Sequence, residues 1–266
     1  MSEPVSVSID GHIAQVTLNR PDKANALSLE MFDALGDTAL RLASERSLRA
    51  VVLHGAGENF CAGIDVDIFR RSEAVVDATS MLPVEPSPAN RFQRAAYGWR
   101  ELPIPVICAI RGVAFGGGLQ IALGADLRYA RADSRFSIME IKWGLIPDMA
   151  ISTTLRDILP VDRVKELAWS GRAVGGEEAL QLGLVTVLHE DPLSAAMETA
   201  RAICEKSPDA IRGMKRLFNS AWQMTEAEAL SLEADLQLGL FGKQNQLEAV
   251  MANMQKRAPD FSDPAD

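Results

Sequence analysis

Three consecutive glycines, Gly116, Gly117 and Gly118, open the segment AFGGGLQIALGADLRYA, and no charged side chain follows until Asp126. Glycine loses more backbone freedom on folding than any other residue, so such a triplet is tolerated only where bare backbone is needed. The stretch before it, PVICAIRG, reads as a short buried strand, and the stretch after it as a helix. A strand, a glycine-containing loop and a helix also occur in that order at 51–66, from VVLHG through NFCAGIDV. Two such units in tandem predict an α/β fold with a parallel sheet, whose ligand crevice lies at the carboxyl ends of the strands. Both loops then face one crevice.

The flanking chain agrees with this class. Val5, Val7, Ile9 and Ile13, Val16, Leu18 alternate around Asp10-Gly11, which predicts a β-hairpin. Ser28 is placed to cap a helix on which Met31, Phe32, Leu35, Leu40 and Leu42 form the apolar side. Residues 70–100 are irregular, with Pro83, Pro86 and Pro88 close together. DLRYARADSRFSI supplies a third strand pair, two helices and a strand follow, and from about Asp191 the chain reads as helical.

Composition excludes several classes. The net charge of −9 argues against nucleic acid as the main partner, because that binding is driven by a basic surface. The three cysteines show no CxxC spacing, so neither a disulfide framework nor a structural zinc site is expected. The three histidines are scattered, and no metal is expected. The first residues lack a basic region followed by an apolar core, and no apolar stretch is long enough to cross a bilayer. A cytoplasmic location without membrane attachment is the expectation.

A helix N-terminus offers main-chain N–H groups without intrahelical partners at the positive end of the dipole. Gly117 is placed to present one, and Ile64, after Gly63, a second. Two convergent donors make an oxyanion hole, where each donor is worth roughly 10²–10³ in rate. The triplet also fits a tight turn or close helix packing. A dinucleotide-binding loop does not fit, because the GxGxxG spacing is missing.

LNRPDKANALS, NFCAGIDV, AIRGVAFGGGLQIALGADLRYA, FSIMEIKWGLIPD, VKELAWSGR with EEALQLGLV, and MQKRAPDF occur in that order. Together they resemble the crotonase superfamily, the enoyl-CoA hydratase/isomerase family, over nearly the whole chain. The resemblance implies a crotonase (ClpP-like) spiral of ββα units over 1–190, carrying an acyl-CoA pocket. It implies a helical region over 191–266 for oligomerisation and pocket closure, and a homotrimer or dimer of trimers. It also implies acyl-CoA thioester substrates, with coenzyme A as part of the substrate and no separate cofactor, and Ile64 and Gly117 as the oxyanion donors.

Hydratases of the family hold a water between two glutamates. Here the first of those positions is Gln120, which cannot exchange a proton, and the second is Glu140. Asp148, eight residues on, matches a carboxylate of the family's dienoyl-CoA isomerases, although it could equally cap a helix. Glu140 could also be a salt-bridged structural residue. Ile138, Met139, Ile141 and Trp143 are expected to surround Glu140 and raise its pKa.

For coenzyme A the resemblance points to the main chain at Lys23, Ala24, Ala26, Ala62 and Asp65, and to Gly116 and Gln120 beside the thioester. Lys23 and Lys256 are phosphate candidates, or simply solvated lysines. Asp65 and Asp126 also fit structural positions, and Cys61 reads as packing. The proline-rich segment, with Phe92, Tyr97 and Trp99, is expected to wall the acyl end. The expected function is proton transfer on an acyl-CoA by Glu140, assisted by Asp148. Double-bond isomerisation is favoured over water addition, with a non-catalytic acyl-CoA binder as the other alternative.

Overall fold

The computed structural model describes residues 3–69 and 77–264. Part of the expected irregular stretch, 70–76, lies outside the described residues. Strands β1 (Val5–Asp10) and β2 (Ile13–Leu18) form the expected antiparallel hairpin, with Gly11 at φ +55° in its turn. Parallel strands then extend the sheet: β3 (Ala50–Gly55), β4 (Val106–Ile110), β6 (Leu127–Ala130) and β9 (Val187–Leu188), in the order β1-β2-β3-β4-β6-β9. Every residue of β4 is buried, which accounts for its unbroken apolar sequence.

A second, three-stranded sheet contains β5 (Val113–Phe115), β7 (Arg135–Ser137) and β8 (Val174–Gly175). DLRYARADSRFSI does not form the expected strand pair, because β6 joins the large sheet and β7 joins the small one. Alternation within a strand fixes which face is buried, but says nothing about which edge it pairs with.

Helix α1 (Leu29–Ala43) starts at Ser28, whose hydroxyl accepts from the Met31 N–H at 3.3 Å. Its buried side is Met31, Phe32, Leu35, Gly36, Thr38, Ala39 and Leu42. Leu40, expected on that side, faces outward instead. Helix α2 (Arg94–Glu101) packs between α1 and α3 (Gly117–Gly124). All eight residues of α3 are buried, so its sequence carries no amphipathic stripe. Short helices α4 (Ile151–Thr154), α5 (Val161–Ser170) and α6 (Gly176–Leu182) follow.

Helix α7 (Pro192–Cys204) lies on the outer face of the large sheet, where Ala196 and Ala200 meet Ile13, Ala50, Val52, Ile107 and Ala109. Helices α8 (Pro208–Ser220), α9 (Glu226–Leu240) and α10 (Gln244–Gln255) complete the chain. The ammonium of Lys215 fastens α8 to the core. It donates to the Trp99 carbonyl at 3.2 Å and the Ile104 carbonyl at 2.9 Å, and pairs with Asp126 at 2.7 Å. Asp126 also accepts the Val106 N–H, so one carboxylate ties α8 to the start of β4. Burial lowers the Lys215 pKa, and the Asp126 charge works against that shift.

Candidate active site

The two glycine-containing loops run side by side, as the tandem units require. The Cys61 N–H donates to the Val113 carbonyl at 3.0 Å, and the Phe115 N–H returns to the Cys61 carbonyl at 3.0 Å. On the other side of the first loop, the Leu27 N–H donates to Gly63 and the Asp65 N–H donates to Leu27. Amides alternate in direction along extended backbone. Ile64, lying between those two bonded groups, therefore turns its N–H away from Leu27. Among the described residues, neither the Ile64 N–H nor the Gly117 N–H has a hydrogen-bond acceptor. The two sites are close: a Cβ on Gly63 would stand 2.7 Å from the Phe115 carbonyl oxygen and 3.8 Å from the Gly117 nitrogen.

Each glycine of the triplet has its own reason. Gly116 adopts φ +51° and ψ −122°, and a Cβ there would lie 3.2 Å from Glu140 Oε1. A Cβ on Gly117 would meet Leu27 and Met149 at 2.8 Å, and one on Gly118 would meet the Cys61 carbonyl at 2.4 Å. Only the first position is a matter of backbone conformation. The other two are close approaches between packed segments.

Glu140 begins a 3-10 turn, residues Glu140–Trp143, separated from β7 only by Ile138 and Met139. Its carboxylate meets the one polar side chain of α3: Gln120 Nε2 donates to Glu140 Oε1 at 2.6 Å. The orientation of that amide is set from behind, because Gln120 Oε1 accepts the Met149 N–H at 2.8 Å. Glu140 Oε2 is buried and has no hydrogen-bond partner among the described residues. Burial pushes the Glu140 carboxyl above its ordinary range, the hydrogen bond from Gln120 pulls it back, and the nearby Asp148 charge raises it further.

Asp148 does not cap a helix. The residue before α4 is Ala150, at φ +65°, and it uses no side-chain cap. The Asp148 carboxyl is also pushed up by burial, and its charge is felt at Glu140. The apolar surround expected for Glu140 is only partly present. Ile138 is buried, but Ile141 and Trp143 are exposed, so its pKa shift comes from burial of the carboxyl beneath the turn.

The 20–27 segment wraps the first loop. Arg20 pairs with Asp65 at 2.9 Å and donates to the Ala26 carbonyl. Burial opposes it, but the Arg20 guanidinium holds the Asp65 carboxyl below its ordinary value, and the Lys23 charge adds to this. The Ala62 N–H donates to the Ala24 carbonyl at 2.9 Å, so Lys23, Ala24, Ala26, Ala62 and Asp65 form one neighbourhood. Ala24 and Asn25 both have positive φ, and the Asn25 amide fastens the bend by donating to the carbonyls of Ala56 and Asn59. Lys256 stands apart at the end of α10, and no interaction joins it to this neighbourhood among the described residues. Burial pushes the Cys61 thiol up to about 12, so it is an inert packing group.

Phe92 and Trp99 do not wall the site. Phe92 packs edge-on against Phe32 at 5.2 Å, and the fully buried Trp99 donates its indole N–H to the Ala95 carbonyl. Tyr97 borders a crevice towards α8 and α9, and Val84 and Pro86 lie against α1. Phe69, five residues beyond Ile64, meets Trp143 at the end of the Glu140 turn, with ring centroids 5.2 Å apart. Sequence reasoning missed this pair, and it missed Arg20, Asn25 and Met149 as organisers. Aromatic residues 74 positions apart carry no sequence signal of contact.

Structural comparison defines the class first. The crystal structure of an enoyl-CoA hydratase from Bacillus anthracis superposes with a TM-score of 0.86 at 29% identity, covering 97% of this chain and 98% of that one. This is the crotonase fold. The family described as enoyl-CoA hydratase/isomerase matches residues 8–264, and the chain belongs to that family of enzymes. Enoyl-CoA hydratase EchA19 of Mycobacterium tuberculosis is 31% identical over 262 residues, spanning 94% of this chain and 93% of that protein. The carnitinyl-CoA dehydratase of Shigella flexneri is 33% identical over 236 residues, spanning 86% and 85%.

Proposed function

We infer that this enzyme moves a proton on an acyl-CoA thioester with Glu140 as its working carboxylate, and that double-bond isomerisation is its reaction. The observation that carries this reading is the Gln120 amide, whose oxygen accepts from Met149 and whose nitrogen donates to Glu140. A group held in this way orients the base and has no proton to exchange.

The thioester oxygen is placed between the N–H groups of Ile64 and Gly117. Glu140 then removes the proton from Cα, and the negative charge that develops on oxygen is met by both N–H dipoles. Return of the same proton to Cγ shifts the double bond and regenerates the carboxylate, with no water consumed. The raised pKa of Glu140 makes its carboxylate a better base for the Cα proton, while the carboxyl it becomes is still acidic enough to return that proton to Cγ. Asp148 assists by disfavouring a second negative charge nearby. The segments around Lys23–Ala26 and Ala62–Asp65 would hold coenzyme A.

Reversible hydration is the second reading, favoured by the names of the relatives and by the raised pKa of Asp148, which makes it a candidate proton donor. A panel of 2-enoyl-, 3-enoyl- and 3-hydroxyacyl-CoAs followed by mass spectrometry and chromatography separates the two. Interconversion of 2- and 3-enoyl isomers at constant mass is the expected result. Dominant gain or loss of water would move the assignment to hydration.

The C-terminal helices are proposed to join copies of this chain into a trimer or a dimer of trimers. Helix α9 buries no residue, and Leu230, Leu238 and Phe241 are exposed. Light scattering on the purified protein is expected to give three or six times the chain mass, and a monomer would refute the assembly.

A further inference from the structure

We propose that the Phe69–Trp143 ring pair is an acyl-length gauge, admitting chains of up to about six carbons and resisting longer ones. This deepens the reading of the site as an acyl-CoA site and rests on it.

Residues three apart eclipse in a 3-10 turn, so Glu140 and Trp143 project from the same side of their turn. At about 2.0 Å rise per residue, the indole is rooted about 6 Å beyond the carboxylate, or four to five carbon–carbon bonds. The other ring comes from the opposite loop, since Phe69 lies five residues after Ile64. The contact at 5.2 Å, with the rings tilted by 35°, therefore spans from the donor loop to the base turn. An acyl chain with Cα, its second carbon, at Glu140, extending between those two segments, meets the rings at about its sixth or seventh carbon.

The surroundings agree. Val66, three residues before Phe69, and Ile141, Leu145 and Ile146, on or just after the Trp143 turn, are all exposed apolar residues, with Trp143 at 42% and Ile146 at 76%. The Lys142 ammonium lies 5.3 Å from the indole centroid, on the same turn. This cation–aromatic contact, with Phe69, limits the freedom of the ring to swing aside.

The test uses saturated acyl-CoAs, which bind without reacting. Calorimetric titration of the full chain with butanoyl-, hexanoyl-, octanoyl- and decanoyl-CoA gives affinity against length. Each methylene that enters an apolar site tightens binding about fourfold. For the native chain the gain is expected to stop near hexanoyl-CoA. In Trp143→Ala it should continue, so that decanoyl-CoA binds at least tenfold more tightly than hexanoyl-CoA, while Trp143→Phe keeps the native break. Trp143 is partly exposed, so folding should survive, and melting curves check this. Affinity rising through decanoyl-CoA in the native chain, or the same break in Trp143→Ala, overturns the gauge. Failure of every acyl-CoA to bind overturns the reading beneath it as well.

Discussion

Replacing Gln120 with glutamate would set two carboxyl oxygens 2.6 Å apart at a position that is 1% exposed. Two unit charges at that distance repel by about 6 kcal/mol at an effective dielectric of 20. Keeping one glutamate protonated at pH 7 costs about 3.7 kcal/mol from its reference pKa. The smaller cost wins, so the folded variant holds one proton across the pair that the unfolded chain has released. The folded-state pKa of the pair is thus raised. The variant's stability relative to the native chain is intact below the unfolded glutamate pKa of about 4.3, and falls as pH rises. The slope is about 1.4 kcal/mol per pH unit, reaching about 3–4 kcal/mol at pH 7. The Met149 N–H keeps an acceptor in this variant, so no second defect confuses the result. Urea unfolding of both proteins at pH 5 and pH 7 measures the difference. An equal difference at the two pH values would show that the Gln120–Glu140 contact is not made in the folded protein, and the positioning argument would fail with it.

Removing the carboxylate in Glu140→Gln should lower turnover by about 10²–10⁴ while leaving the fold intact, because the orphaned Oε2 no longer carries buried charge. In the native enzyme Glu140 must be ionised to take a proton, so activity should fall as pH drops through a pKa above 4.5. An acid limb centred at or below 4.5 contradicts the burial argument. Lys215→Met leaves Asp126 and two carbonyls without their shared ammonium. A loss of about 3–5 kcal/mol is expected in chemical denaturation, with earlier proteolysis in α8, and a change below 1 kcal/mol would mean that Lys215 does not fasten the helix.

Much of the site was legible because its signals are local. A helix N-terminus within a glycine triplet, a second glycine loop and a glutamate after a short strand each carry their chemistry within a few residues. The expected hairpin and the Ser28 cap formed for the same reason: both are fixed by near neighbours. Where the reading failed, the deciding contacts were distant. Leu40 lies at an acceptable helical spacing, but the packing of α2 against α1 selected Ala39 instead, beside the expected Leu42. Phe92 and Trp99 looked like pocket walls because they flank a proline-rich stretch, yet both fill the core beside α1 and α3.

The sequence by itself determined the tandem strand–loop–helix plan, the bare backbone of the triplet and the presence of a neutral amide at position 120. These are properties of residue type and short spacing. Only the tertiary structure decided that Cys61, Leu27 and Met149 crowd Gly117 and Gly118, that Gln120 grips Glu140, and that Phe69 meets Trp143 across the site. The physical reason is that pairing, packing and burial depend on which surfaces the folded chain brings together, and no side chain states its distant neighbour in advance.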